Sequence, residues 1–204
     1  MLTSTLTSKK YTMKINFLKT IFLLALSTSA LTSCVGDDDY VIPTVYDYAF
    51  TDGFETNWAD WTKYSVNGAQ EWQLDTQYGN PGNCAKMSGY AGTSNANEDW
   101  LISPEINLSE LTTAYLSFQT ASKFSGNVLE IKISSDYSSG DPNSATWTNL
   151  TATLDASNAY TWTNSGNIDI SSFVGGNVHV AFKYTSTSSA SMTWEVDNVK
   201  ITKN

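Results

Sequence analysis

The chain has 204 residues, with 11 Lys, no Arg, one His and 20 Asp and Glu, for a formal charge of −9. Beyond Cys34 the imbalance deepens, because seven Lys against 20 Asp and Glu leave −13. Phosphate backbones repel such a chain, and without Arg it lacks the usual bidentate reader of phosphates and bases, so nucleic acid is excluded as a partner.

The first segment has the layout of a targeting signal. Lys9, Lys10, Lys14 and Lys19 form a basic region ahead of "IFLLALSTSAL", an apolar run too short and too rich in Ser and Thr to span a bilayer. Met13 offers a second start, since "MKINFLKTIFLLALSTSALTSC" is a complete signal by itself. The run ends in "LTSC", Leu31 to Cys34, which resembles the lipobox of bacterial lipoproteins. That resemblance implies cleavage before Cys34, lipidation of its thiol and attachment to the outer membrane. The acidic "VGDDDY" that follows resembles the surface-export tag of some Gram-negative lipoproteins; its plainer reading is a solvated spacer. The division expected is a signal over 1–33, a lipidated Cys and acidic linker over 34–47, and one folded domain over 48–204.

From Tyr48 onward helical periodicity is nearly absent. Short runs recur between Gly, Asn, Ser and Asp: "YAFTDGF", "EWQLDT", "CAKMSGY", "DWLISPEI", "AYLSFQTA", "NVLEIKISSD", "TWTNLTATL", "WTNSGNIDI", "NVHVAFKYTS" and "TWEVDNVKIT". In "VHVAFKYT", Val178, Val180, Phe182 and Tyr184 share one face at period two, with His179, Ala181 and Lys183 on the other. "SSFVGGN" carries one short helical turn. Such a series predicts an all-β fold, two packed antiparallel sheets of jelly-roll type. Only Cys84 remains after processing, so no intramolecular disulfide forms, and its place in an alternating run marks it as a small buried residue.

The order of landmarks carries a family resemblance. "DGFETNWADWTKY", "NEDWLISPEINLS", "AYLSFQTA", "LEIKISSDY", "SGNIDISSF", "VHVAFKYTS" and the closing "TWEVDNVKI" together resemble the choice-of-anchor J domains, relatives of the cleaved-adhesin and MAM-like jelly rolls. The resemblance covers Phe50 to Ile201, and "EDWLISP" paired with "VDNVKI" is its specific part. It implies a β-sandwich at the cell surface with an adhesive or carbohydrate-associated role, and several relatives carry structural calcium.

Three carboxylates invite that metal, which favours hard oxygen ligands. Glu55 follows the first strand, Asp99 leads into "WLISP", and Asp197 sits between the apolar Val196 and Val199, where an unpaired carboxylate is costly. A calcium-braced corner of Glu55, Asp99 and Asp197 is the expectation, against a plainer reading in which Asp99 caps a loop and Asp197 accepts backbone N–H groups. Catalytic signals are missing: there is no HExxH, CxxC, P-loop or GxSxG, and His179 lies mid-strand. Aromatic residues among Asn, Thr and Ser remain, and Trp72, Tyr78 and Trp162 form a candidate glycan platform, whereas Trp100 and Trp194 belong to the core. The reading is a non-catalytic surface lipoprotein whose jelly-roll module binds glycan or a surface protein. The alternative is a glycan-degrading enzyme, or an accessory subunit of a glycan-utilisation or structural assembly.

Overall fold

A computed structural model describes residues 47–203. The signal, Cys34 and all but the last residue of the acidic linker lie outside the described residues. Two antiparallel sheets face each other, as the alternating runs require. The first, of seven strands, holds β1 (Asp47–Asp52), β3 (Gln73–Gly79), β4 (Gly82–Met87), β7 (Ala114–Lys123), β10 (Thr163–Asn164), β11 (Ile168–Asp169) and β13 (Thr193–Lys203). The second, of six, holds β2 (Thr62–Asn67), β5 (Asn97–Ile102), β6 (Ile106–Asn107), β8 (Glu130–Ser134), β9 (Thr148–Leu150) and β12 (Asn177–Ser186). The central path of the first sheet runs β10-β7-β13-β4-β3, and that of the second β2-β5-β12-β8-β9.

Period-two patterning builds the core between them. Val178, Val180, Phe182 and Tyr184 of β12 point inward with Leu101 of β5, to meet Trp194, Val196, Val199 and Ile201 of β13 and Leu116 and Phe118 of β7. Phe118 and Phe182 close the gap between the sheets edge-to-face, with ring centroids 5.1 Å apart. The outer face of the six-stranded sheet is covered as well. Trp100, Ile102 and Ala181 pack there against Tyr137, with Trp147 alongside. His179 completes that layer, its Nδ1 2.8 Å from the Ser103 carbonyl and its ring edge-on to Tyr137. Trp100, Trp194 and Cys84 are buried, as their strand patterns predict.

Several boundaries differ from expectation. "TKYSVN" forms β2, an edge strand that the sequence conceals because only Tyr64 and Ser65 are partly shielded from solvent. "TWTNLTATL" contributes just three strand residues, and "WTNSGNIDI" breaks into β10 and β11, each a two-residue pairing with β7. The turn expected in "SSFVGGN" is the 3-10 turn Ser171–Phe173.

Candidate functional site

The outer face of the seven-stranded sheet carries the site. Because Ala85, Met87, Trp194 and Val196 point into the core, their neighbours Lys86 and Glu195 must point outward, and the two sit opposite each other in the β4–β13 register. Lys86 Nζ lies 2.9 Å from Asp75 Oδ2 and 3.4 Å from Glu195 Oε1, and 5.5 Å from the centre of the Tyr78 ring. Burial is the largest influence on the Asp75 carboxyl and works upward, but the hydrogen bond and charge of Lys86 with the backbone N–H groups of Gln77 and Tyr78 together outweigh it and hold that group below its ordinary value. Burial likewise pulls Lys86 down, and Asp75, with smaller help from the charges of Glu195 and Tyr160, more than reverses it, so the ammonium is held more firmly charged. Burial raises Glu195, and Lys86 only partly offsets this.

The far wall comes from the segment between β9 and β10. It is pinned to β7 by Asp155, whose Oδ2 accepts from Ser122 N at 2.7 Å and whose own N–H donates to Thr120 Oγ1 at 3.0 Å. Tyr160 N donates to Ser122 O at 2.9 Å with φ at 55°, a left-handed conformation that non-glycine residues seldom adopt. Phe124 and Asn158 share that conformation, and Phe124 N donates to Asn158 Oδ1. Lys123 Nζ is 5.5 Å from the centre of the Tyr160 ring. This bracing brings Tyr160 and Trp162 over the sheet, where with Tyr78, Lys86 and Glu195 they line a hollow of about 370 Å³. That volume lies within the roughly 300–1,000 Å³ of small-ligand sites.

Two of the three aromatic residues proposed as a platform therefore meet, and the third does not. Tyr78 is 60% exposed, whereas Trp72 is 2% exposed in the core and donates its Nε1 to the Asp99 carbonyl at 3.3 Å. Trp72 has no face to offer a ligand. Tyr160, Lys86 and Glu195 were not marked as site residues in the sequence. Alternation in "CAKMSGY" and "TWEVDNVKI" put Lys86 and Glu195 on one outer face, but strand order alone makes them neighbours.

Two strand positions along the same face, an amide network continues the surface. Gln119 Oε1 accepts from Asn80 Nδ2 at 3.1 Å and Asn198 Nδ2 at 3.0 Å, and Gln119 Nε2 donates to Asn164 Oδ1 at 2.8 Å. These side chains, with Ser117, Asn167 and Lys200, line a second hollow of about 350 Å³.

The carboxylates expected to share one corner separate into two places. Asp99 stands in the middle of β5, in the six-stranded sheet, between Ser65 of β2 and Tyr184 of β12. It faces the interior at 1% exposure, and neither carboxylate oxygen has a hydrogen-bond partner. It is thus no loop cap, and it belongs to no corner with Asp197, which lies in the opposite sheet. Among the described residues no group of three His, Cys, Asp or Glu is placed to hold a metal ion. Glu55 and Asp197 do approach each other. Asp197 accepts from Asn80 N at 2.6 Å and Asn198 N at 2.6 Å. Burial, with a smaller push from the Glu55 charge, raises its carboxyl to about 6 despite those donors. Glu55 Oε1 accepts from Asn83 N at 2.8 Å, an approach that only glycine at position 82 permits, since a Cβ there falls 2.0 Å from that oxygen. The β13 bulge turns Asn198 to φ 53° and sets its Oδ1 beside Asp197 Oδ1 over Gly53. The donor set at this corner is oxygen only, with two carboxylates and an amide, which fits calcium chemistry.

Two facing antiparallel sheets with a polar, aromatic-walled hollow on one outer face define an all-β sandwich module of jelly-roll type. The chain belongs to the family described as Domain of unknown function (DUF5017), which it matches over residues 61–204. No curated protein matches it. Among solved structures it is similar to the K1 cleaved adhesin domain of Lys-gingipain from Porphyromonas gingivalis W83. The TM-score is 0.53 at 17% identity, over 76% of this chain and 98% of that one. The K3 cleaved adhesin domain of the same protein gives 0.54 at 15%, over 78% and 100%. The family 11 carbohydrate-binding module from Clostridium thermocellum, solved with a β-1,3-1,4-mixed-linked tetrasaccharide, gives 0.49 at 18%, over 74% and 92%. The adhesin domains share the fold with this chain.

Proposed function

We propose that this protein is a non-catalytic, surface-anchored binding module that holds glycan on the outer face of its seven-stranded sheet. The observation that carries this reading is the convergence of Tyr78, Tyr160 and Trp162 around Lys86 and Glu195 in one hollow. Aromatic faces stack on the apolar faces of sugar rings, while charged and amide groups at their edges accept and donate to hydroxyls. The bracing of Lys86 between two carboxylates fixes those edges before any ligand arrives, which lowers the ordering cost of binding. The fold likeness to cleaved adhesin domains supports an adhesive role in the same direction.

In this reading the lipobox-like "LTSC" supplies the address: Cys34 is the lipidated N-terminus, and the acidic linker holds the module off the outer membrane. Calcium is a structural ligand held by Glu55 and Asp197 with Asn198, without Asp99. When bound it neutralises two carboxylates that otherwise repel each other. Glycan capture is tested by electrophoresis of the Cys34→Ala chain through gels containing single polysaccharides. At least one polysaccharide retards the protein, and Trp162→Ala lowers that affinity at least about tenfold, as truncation of a central aromatic anchor does. Unretarded migration in every polysaccharide refutes the glycan reading and leaves a protein ligand as the object of adhesion.

A further inference from the structure

We infer that the groove takes a linear, uncharged oligosaccharide laid along the strands, aromatic contacts at one end and amide contacts at the other. This deepens the glycan reading and rests on it. The two hollows on the seven-stranded sheet are successive stations on the same chain segments. Tyr78 lines the first and Asn80 the second; Trp162 lines the first and Asn164 the second; Glu195 lines the first and Asn198 the second. A step of two residues along an extended chain keeps side chains on one face and advances about 7 Å. Two segments make that step together, and β13 advances three residues across its bulge, so the hollows lie along one groove parallel to the strands and are not two unrelated dents. A ligand confined to the first hollow leaves the amide station untouched, so a chain of several sugars is the shape that uses both.

The amide station has the chemistry for hydroxyls. Asn80, Gln119, Asn164 and Asn198 belong to four different strands or turns of the sheet, yet each is oriented by hydrogen bonds to another member of the set. Amide groups supply both donors and acceptors, which suits hydroxyls that do both. Charge then selects among chains. Lys86, the cation of the first hollow, is already engaged by Asp75 and Glu195, so a charged group on an arriving chain finds no free partner there. An anionic chain meets two carboxylates around a cation that is already occupied, whereas a neutral chain meets no such repulsion.

The test is calorimetry of the full chain carrying Cys34→Ala against neutral gluco-, xylo-, manno- and galacto-oligosaccharides of one to six sugars, with oligogalacturonates as the charged arm. At least one neutral series gains affinity stepwise from one sugar to four, by more than about tenfold in total, and oligogalacturonates bind more weakly. Asn164→Ala, checked for an unchanged melting temperature, reduces the gain between two and four sugars, and Gln119→Ala does the same from the neighbouring strand. Monosaccharides that bind as tightly as tetrasaccharides overturn the extended groove while the glycan reading stands. Tighter binding of oligogalacturonates overturns the selection for neutral chains. Absence of binding in both arms overturns this inference and the glycan reading together.

Discussion

Replacing Asp99 by Asn stabilises the protein at alkaline pH and leaves it nearly unchanged in acid. The carboxylate is buried between the sheets with both oxygens unpartnered, and burial pushes its pKa from 3.8 to about 7. The charges of Glu71 and Glu98 push the same way, and the Ser65 hydroxyl opposes them. Tyr184 stands opposite Asp99 in the β12 register, and the Trp72 N–H is given to the Asp99 backbone carbonyl, not to its carboxylate. Unfolded, the group releases its proton near pH 3.8; folded, it keeps it until about pH 7. Between those values the native state binds more protons than the unfolded state, so stability falls as pH rises through that window. About three pK units at about 1.4 kcal/mol each give an upper bound of about 4 kcal/mol, fully developed above pH 7. Asn has the same shape and no charge to bury. At pH 8 Asp99→Asn therefore raises the melting temperature by up to about 8–16 °C for a domain of this size, and at pH 4 the two proteins agree within about 1 kcal/mol. Thermal unfolding of both proteins from pH 4 to pH 9 measures the difference directly. Equal curves at every pH, or a variant weaker at pH 8 than at pH 4, would refute the reasoning and show that Asp99 is partnered in solution.

Four further outcomes follow from the same structure. Calcium raises the melting temperature and EDTA lowers it, the stability gain being about 2.7 kcal/mol at a hundredfold excess over the dissociation constant; Asp197→Ala removes the response and Asp99→Asn keeps it, so loss of the response in Asp99→Asn contradicts the separation of the two carboxylates. Phe118→Ala at the centre of the core costs about 3–5 kcal/mol in denaturant unfolding, and a loss under 1 kcal/mol contradicts its place between the sheets. Cys34→Ala moves the protein from the membrane fraction to the soluble fraction, and mass spectrometry of the parent shows Cys34 acylated at its N-terminus; an unmodified N-terminus elsewhere contradicts the anchor. His179→Ala changes stability and not glycan binding, because the ring is buried against Tyr137 on the opposite sheet.

Much of the fold was legible because strands with one buried face write themselves at period two. Val178, Val180, Phe182 and Tyr184 read inward and are inward. The edge strand β2 escaped for the same reason: Thr62, Lys63, Val66 and Asn67 face solvent, so burial leaves no pattern to read. The break of "WTNSGNIDI" into β10 and β11 left no mark, because each piece is defined by its pairing with β7, a tertiary event with no local signal. At the site, residue type pointed to carboxylates and aromatics, but sheet membership decides which of them meet. Glu55 and Asp197 meet at the first and last strands, whereas Asp99 lies in the other sheet. Trp72 and Tyr78 are six residues apart and part company because one faces the core and the other the groove. Asp52 carries no signal in the sequence although it is a well-partnered buried carboxylate, accepting from Phe54 N at 2.7 Å and Trp61 Nε1 at 2.8 Å. Its indole partner sits nine residues along, at a spacing that means nothing until the chain folds back.

The most direct measurement of the central claim is a glycan array probed in parallel with the Cys34→Ala chain and its Tyr78→Ala/Trp162→Ala derivative. The account predicts a set of neutral glycans bound by the first and lost by the second, with both proteins melting at the same temperature. Identical glycan signals from the two proteins would contradict it, because binding would then lie away from the groove on the seven-stranded sheet.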